Sequence, residues 1–248
     1  MTRSDDRRGV RRQEMVDRFK LEGARILLAP FSSTGIPTNA DEWQRRLGPT
    51  LRGLSYAQRG GGRTFYEIAS QLLTAAETFA ADPGSPALRE IPAAAPSDRT
   101  PKIYREISSY ILDWRSLPTE EKYERRDWTA REISLRFPRF SQFLPIYFGQ
   151  DGVAISDDMQ SASIEESIAL IIEETHPLCM WNLPGLAAES YEALALFQND
   201  EDAMDRFFSE VFSGGSGNAD FTEFFPLLAR SIIDHLASAH PPVWPKGK

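Results

Sequence analysis

The sequence predicts an all-α protein, an irregular multi-helix bundle of about 8–10 helices with a loop-rich N-terminal region. Three observations carry that expectation. Apolar residues recur at helical spacing through most of the chain, as in Phe65, Ile68, Ala69, Leu72, Leu73, Ala76 and Phe79. Capping-box pairs, Thr64 with Glu67 and Thr129 with Glu132, stand ahead of such runs. Alternating Val, Ile, Thr and Tyr, the mark of strands, is nearly absent.

In chain order, residues 4–28 read as one basic helix with Val16, Phe19 and Ile26 inward, or as a chain ending in a short strand at 24–29. Residues 30–63 are rich in Gly, Pro, Ser and Thr around a short helix near 41–47. A five-turn helix follows over 64–81, stopped by Asp82-Pro83-Gly84. Five prolines between Pro83 and Pro101 then forbid regular structure and mark 82–101 as a linker or surface loop. The predicted organisation is thus a basic region 1–81, that segment, and a larger helical domain 102–248 with an acidic C-terminal half. Thr100-Pro101 reads as N-cap and first helical position of a helix that buries Ile103, Tyr104, Ile107, Tyr110, Ile111 and Trp114. Helices are expected from Pro118 and Thr129, buried turns over 137–148, and a helix over 158–175 ended by His176-Pro177. Residues 179–184 read as an apolar loop with Trp181 packed. Further helices are expected at 186–198, 201–212 and 221–239, the last two separated by a Gly/Ser loop at 213–218, with an extended tail around Trp244.

Charge is sorted along the chain. Residues 1–63 carry 13 Lys/Arg against 7 Asp/Glu, and residues 151–248 carry 4 against 17. Such polarity speaks to partners rather than to fold. The apolar and charged fractions, 41% and 26%, are those of an ordinary globular protein. No run approaches the 18 or so apolar residues of a membrane span. The N-terminus lacks the apolar stretch of a secretory signal, and a single Cys179 excludes an intramolecular disulfide. A cytoplasmic protein is therefore expected, and the Ala, Arg and Pro content suggests a bacterial one.

Motifs that carry chemistry are sparse. The histidines are His176, His235 and His240. Glu173 and His176 have the Glu-x-x-His spacing of helical di-iron sites, but no second such pair exists, and no metal or cofactor is assigned. Cys179 in its apolar run reads as a buried thiol. Arg59, Gly60, Gly61, Gly62, Arg63 and Thr64 form a candidate anion-binding loop, with glycine N–H groups leading into a helix N-terminus. It is no Walker A motif, since the Gly-Lys-Ser/Thr ending is missing.

Arg230 and His235 have the Arg-x4-His spacing near a helix end found in HEPN-type ribonucleases, which this chain resembles in being all-helical. Ser231 stands where that family usually has Asn, Asp or His. The resemblance covers the last third of the chain and implies RNA cleavage by Arg230 and His235. The leading functional expectation is different: a non-enzymatic adaptor, structural subunit or inhibitor. Its acidic helices, with Glu165, Glu166, Glu173, Glu174, Asp200, Glu201 and Asp202, would meet a basic protein partner. Self-association and nucleic-acid binding through residues 3–63 are further expectations.

Overall fold

The computed structural model describes residues 15–16, 19–123, 128–149, 152–156, 159, 162–217 and 219–241. The fold is all-α, as predicted, and strand is confined to two dipeptides among the described residues. The chain divides into two compact units, residues 1–136 and 137–248.

The first unit contains α1 (Glu22–Leu28), α2 (Ala40–Ala57), α3 (Phe65–Ala81), α4 (Thr100–Trp114), α5 (Thr119–Tyr123) and α6 (Ala130–Arg136). Helix α3 forms where expected. Thr64 accepts from the Glu67 N–H, and Glu67 reaches back to the Thr64 N–H at 2.6 Å. Its apolar face packs along α4, and Ser108 donates to the Ala69 carbonyl at 3.0 Å between them. Ile68, Leu72, Ala76, Ile107 and Ile111 are all fully buried. Each large aliphatic removed from water contributes about 1.5–3 kcal/mol.

The Pro-rich segment is not a linker between domains. It joins two helices that pack on each other, and it is docked onto the same unit. Leu88, Ile91 and Ala94 are buried, and Tyr104 donates to the Pro92 carbonyl at 2.9 Å. The Arg25 guanidinium holds the carbonyls of Ala87 and Arg89, each at 2.9 Å. Ala94–Ala95 pairs in parallel with Ile36–Pro37. Thr100 is the first residue of α4 rather than its cap, because its hydroxyl is committed to the buried Ala94 N–H at 2.9 Å. The division falls instead after Arg136, the end of α6. That helix lies against α2, with Arg52 paired to the buried Glu132 at 2.6 Å.

The second unit contains α7 (Phe140–Phe148), α8 (Ile164–Thr175), α9 (Cys179–Phe197), α10 (Glu201–Asp205) running into a π-helical turn at Arg206–Val211, and α11 (Phe221–Ala239). Its centre is aromatic: Phe208 meets Phe137, Phe140, Phe197, Phe221 and Phe225 at ring separations of 5.1–5.6 Å. Helix α8 starts at a Ser163–Glu166 capping box, so residues 162 and 163 precede it rather than lying within it. Residues 179–184, expected to be a loop, are the first turns of α9, and Trp181 is 81% exposed rather than packed. The expected tail at Trp244 lies outside the described residues.

Glu189 of α9 organises α7. Its buried carboxylate accepts from the N–H groups of Arg139 and Phe140, at 3.1 and 2.9 Å, and from the Arg139 guanidinium. A residue from another helix thus satisfies donors that α7 leaves open. Burial pushes the Glu189 carboxyl above its ordinary value, and those donors only partly pull it back. The folded state then holds the proton to higher pH than the unfolded chain does. Stability is therefore lost as pH rises through the window just above the ordinary value of 4.5. Glu189→Gln cannot ionise, so its stability relative to the parent is expected to improve from pH 4 to pH 7 in chemical denaturation. A constant difference across that range would contradict this.

Candidate metal centre

Three helix ends of the second unit meet at one point. His176 is the C-terminal cap of α8, Cys179 opens α9, and His240 is the C-terminal cap of α11. The connection 176–179 is short because proline at 177 cannot extend α8. This puts the imidazole and the thiol three residues apart across a sharp turn. His240 comes from 61 residues later and is delivered by the packing of α11 on α9.

The donor atoms of His176, Cys179 and His240 all lie within 4.8 Å of one another. The Cys179 sulfur is 3.7 Å from Nδ1 of His176. A tetrahedral zinc ion, with Zn–S about 2.3 Å and Zn–N about 2.0–2.1 Å, sets sulfur and nitrogen about 3.5 Å apart. The pair is therefore already close to ligand spacing, with a donor of His240 within 4.8 Å of both. Cys179 is fully buried, His240 half-buried and His176 exposed, so the centre opens to solvent on the His176 side.

His235, just over one turn before His240, packs edge-on against it with ring centroids 5.2 Å apart. His240 in turn lies face to face with His176 at 5.7 Å. Nε2 of both His235 and His240 is buried without a hydrogen-bond partner. Each such orphan costs about 1–3 kcal/mol. Burial, then the neighbouring His240 and His176, hold His235 below the ordinary imidazole value. The whole histidine content of the chain and its single cysteine thus gather in one place.

The residues singled out from the sequence fall as follows. Arg230 is exposed, whereas His235 faces the imidazole cluster. Five helical positions separate them by about 140° around the axis, so the α11 backbone turns them to different sides. In the glycine loop, Gly61 and Gly62 donate back to the carbonyls of Gln58 and Ala57, and the Thr64 N–H is taken by Glu67. Arg63 pairs with Glu22. Three of the loop's backbone donors are thus taken within the fold, while Arg59 is exposed.

The acidic set divides as well. Glu166 caps α8, Asp200 caps α10, and Glu201 accepts from Phe221 and Thr222 at the start of α11. Burial, and then the hydroxyl's hydrogen bond to Glu174, pushes the Tyr147 phenol up to about 12. All seven of the acidic set are exposed except Glu201, which is half-buried. Of the N-terminal arginines, Arg3, Arg7, Arg8, Arg11, Arg12 and Arg18 lie outside the described residues. Among the described residues, no helix is long and apolar enough to cross a membrane.

The sequence alone points to no metal because each signal is weak: His176 and Cys179 lie three residues apart, but the third donor is supplied only by tertiary packing. Compared with protein-family models, with curated proteins and with solved structures, the chain returns no match.

Proposed function

We propose that this chain is a metal-binding protein that takes a zinc-class divalent ion on His176, Cys179 and His240. One observation carries the reading: the only cysteine and all the histidines converge at the meeting point of three helix ends. A thiolate with imidazoles suits zinc over harder ions such as magnesium or calcium. The bound ion ties the C-terminal end of α11 to the α8–α9 junction. His235 stands behind His240 as a supporting group rather than a ligand. His176, the exposed member of the set, would leave a bound ion open to solvent on its side.

A reducing compartment, where a lone thiol stays available as a donor, is the setting this reading needs. A cobalt(II) titration followed by absorption tests the metal reading. One equivalent is expected to give the visible bands of a tetrahedral ion, and a spectrum that stays that of aqueous cobalt would overturn it.

A further inference from the structure

The first unit holds a feature unrelated to the metal centre. A pocket of about 100 Å³ lies where α2, the end of α5 and α6 come together. Arg52 and Tyr56 sit one turn apart on α2, and Arg59 follows in the turn just after it. Spacing of four and three sets them on one side. Glu132 and Arg136 stand one turn apart on α6, across from them. The two helices approach closely because Gly53 has no side chain: an added Cβ would lie 2.9 Å from the Cβ of Leu135.

The pocket is lined by these three arginines and by three aromatic rings, Tyr56, Tyr123 and Trp128. Glu132 is the one carboxylate among the described lining residues, and it is used within the fold. It accepts from Nε of Arg52 at 2.6 Å and from the Thr129 N–H and hydroxyl at 3.2 and 3.0 Å. Three guanidiniums against one satisfied carboxylate make the lining positive. Arg136 stands over the faces of Tyr56 and Trp128, at 4.5 and 5.1 Å from the ring centres. Stacking uses the face of a guanidinium, whereas its N–H donors lie in its plane.

These groups are within reach of a ligand. Trp128 is 43% and Tyr123 45% exposed, Arg59 is exposed, and Arg52, Tyr56 and Arg136 are half-buried. The Tyr123 hydroxyl meets that of Ser55 at 3.1 Å, which fixes the position of its ring. A volume of about 100 Å³ is below that of a site enclosing a small molecule and suits one oxyanion. The rest of a larger ligand then lies outside, over the exposed rings. Arginine is the side chain best matched to phosphate, and aromatic rings beside it suit bases, which stack on them. Residues 1–63, which supply α2, carry 13 Lys/Arg against 7 Asp/Glu, and that excess favours a strand of phosphates over a single one.

We propose that this pocket anchors single-stranded nucleic acid. One phosphate enters at Arg52, Arg59 and Arg136, and a neighbouring base stacks on Trp128. The region expected to bind nucleic acid, residues 3–63, contributes one wall only, and residues 123–136 contribute the other. Charge and stacking carry the recognition, so it tolerates differences in base sequence.

The experiment uses the full chain and the fluorescence anisotropy of labelled strands of about 12 thymidines or about 12 uridines, within the roughly 4–16 nucleotides of such sites. At least one strand is expected to bind saturably and to weaken steeply as salt rises, and the tighter of the two names the sugar. Arg59→Ala is expected to weaken binding and to reduce the slope of log affinity against log salt by about 0.7. Trp128→Ala is expected to weaken binding about tenfold and Trp128→Phe to keep most of it, because any ring stacks. Both positions are exposed, so these variants keep the fold. Thymidine monophosphate, inorganic phosphate and a phosphotyrosine peptide are expected to compete at least tenfold more weakly than an unlabelled strand. Absence of saturable binding to both strands at low salt would overturn the proposal. So would affinity indifferent to Arg59→Ala or to Trp128→Ala, or a competitor that matches the strand.

Discussion

Phe208→Ala is expected to lower the unfolding free energy by about 3–5 kcal/mol. The ring is fully buried on the π-helical turn and touches aromatic rings from α7, α9 and α11, together with Phe137 just ahead of α7. Deleting it removes the transfer energy of a phenyl group. It also leaves a cavity that its stiff, mutually stacked neighbours cannot fill. Domains are stable by only about 5–15 kcal/mol, so much of the margin is lost. The adjacent Phe207 is half-buried and meets Phe197 at 5.5 Å. Its alanine variant is expected to cost about 1 kcal/mol, near the centre of ordinary substitutions. Urea unfolding of the two variants checks the contrast. Equal losses, or a Phe208 loss below about 1 kcal/mol, would contradict this core.

Zinc is expected to stabilise the parent protein and not Cys179→Ala. An ion that binds only the folded chain adds about 2.7 kcal/mol at a free concentration one hundred times Kd. For a unit of this size that corresponds to an upward shift in melting temperature on the order of 10 °C. Removing the thiolate removes the donor that favours zinc, so the zinc-dependent shift is expected to vanish. The metal-free melting temperatures should differ by far less, because alanine also fits a small apolar position. Thermal unfolding in chelator and in zinc checks this. A zinc shift of the same size in both proteins would show that the ion binds elsewhere.

The fold class was legible because it rests on local signals. Thr64 and Glu67 announced α3, and the stripe from Ile103 to Trp114 announced α4. The errors have local causes too. Residues 179–184 read as a loop because Pro184 usually ends a helix. Here it removes a single hydrogen bond near the start of α9 and is tolerated. Gly185 beside it leaves room for Arg139, whose guanidinium would sit 2.1 Å from an added Cβ. Trp181 looked like core from its type alone, since the face it occupies is set by helical phase. Residues 82–101 read equally as a linker or a surface loop, because proline density reports absent regular structure, not absent packing; Leu88, Ile91 and Ala94 show the docked loop.

The metal centre was half legible. His176 and Cys179 are neighbours in sequence, but His240 joins them only when α11 packs along α9.

The most direct measurement is the cobalt(II) titration carried out on the parent protein and on Cys179→Ala, His176→Ala, His240→Ala and His235→Ala. The parent is expected to bind one equivalent with visible tetrahedral bands and a near-ultraviolet thiolate-to-cobalt band. Cys179→Ala is expected to lose the thiolate band, and His176→Ala and His240→Ala to bind at least tenfold more weakly. His235→Ala is expected to keep the spectrum of the parent. A parent protein without a thiolate band, or one whose band survives in Cys179→Ala, would contradict the assignment of this centre.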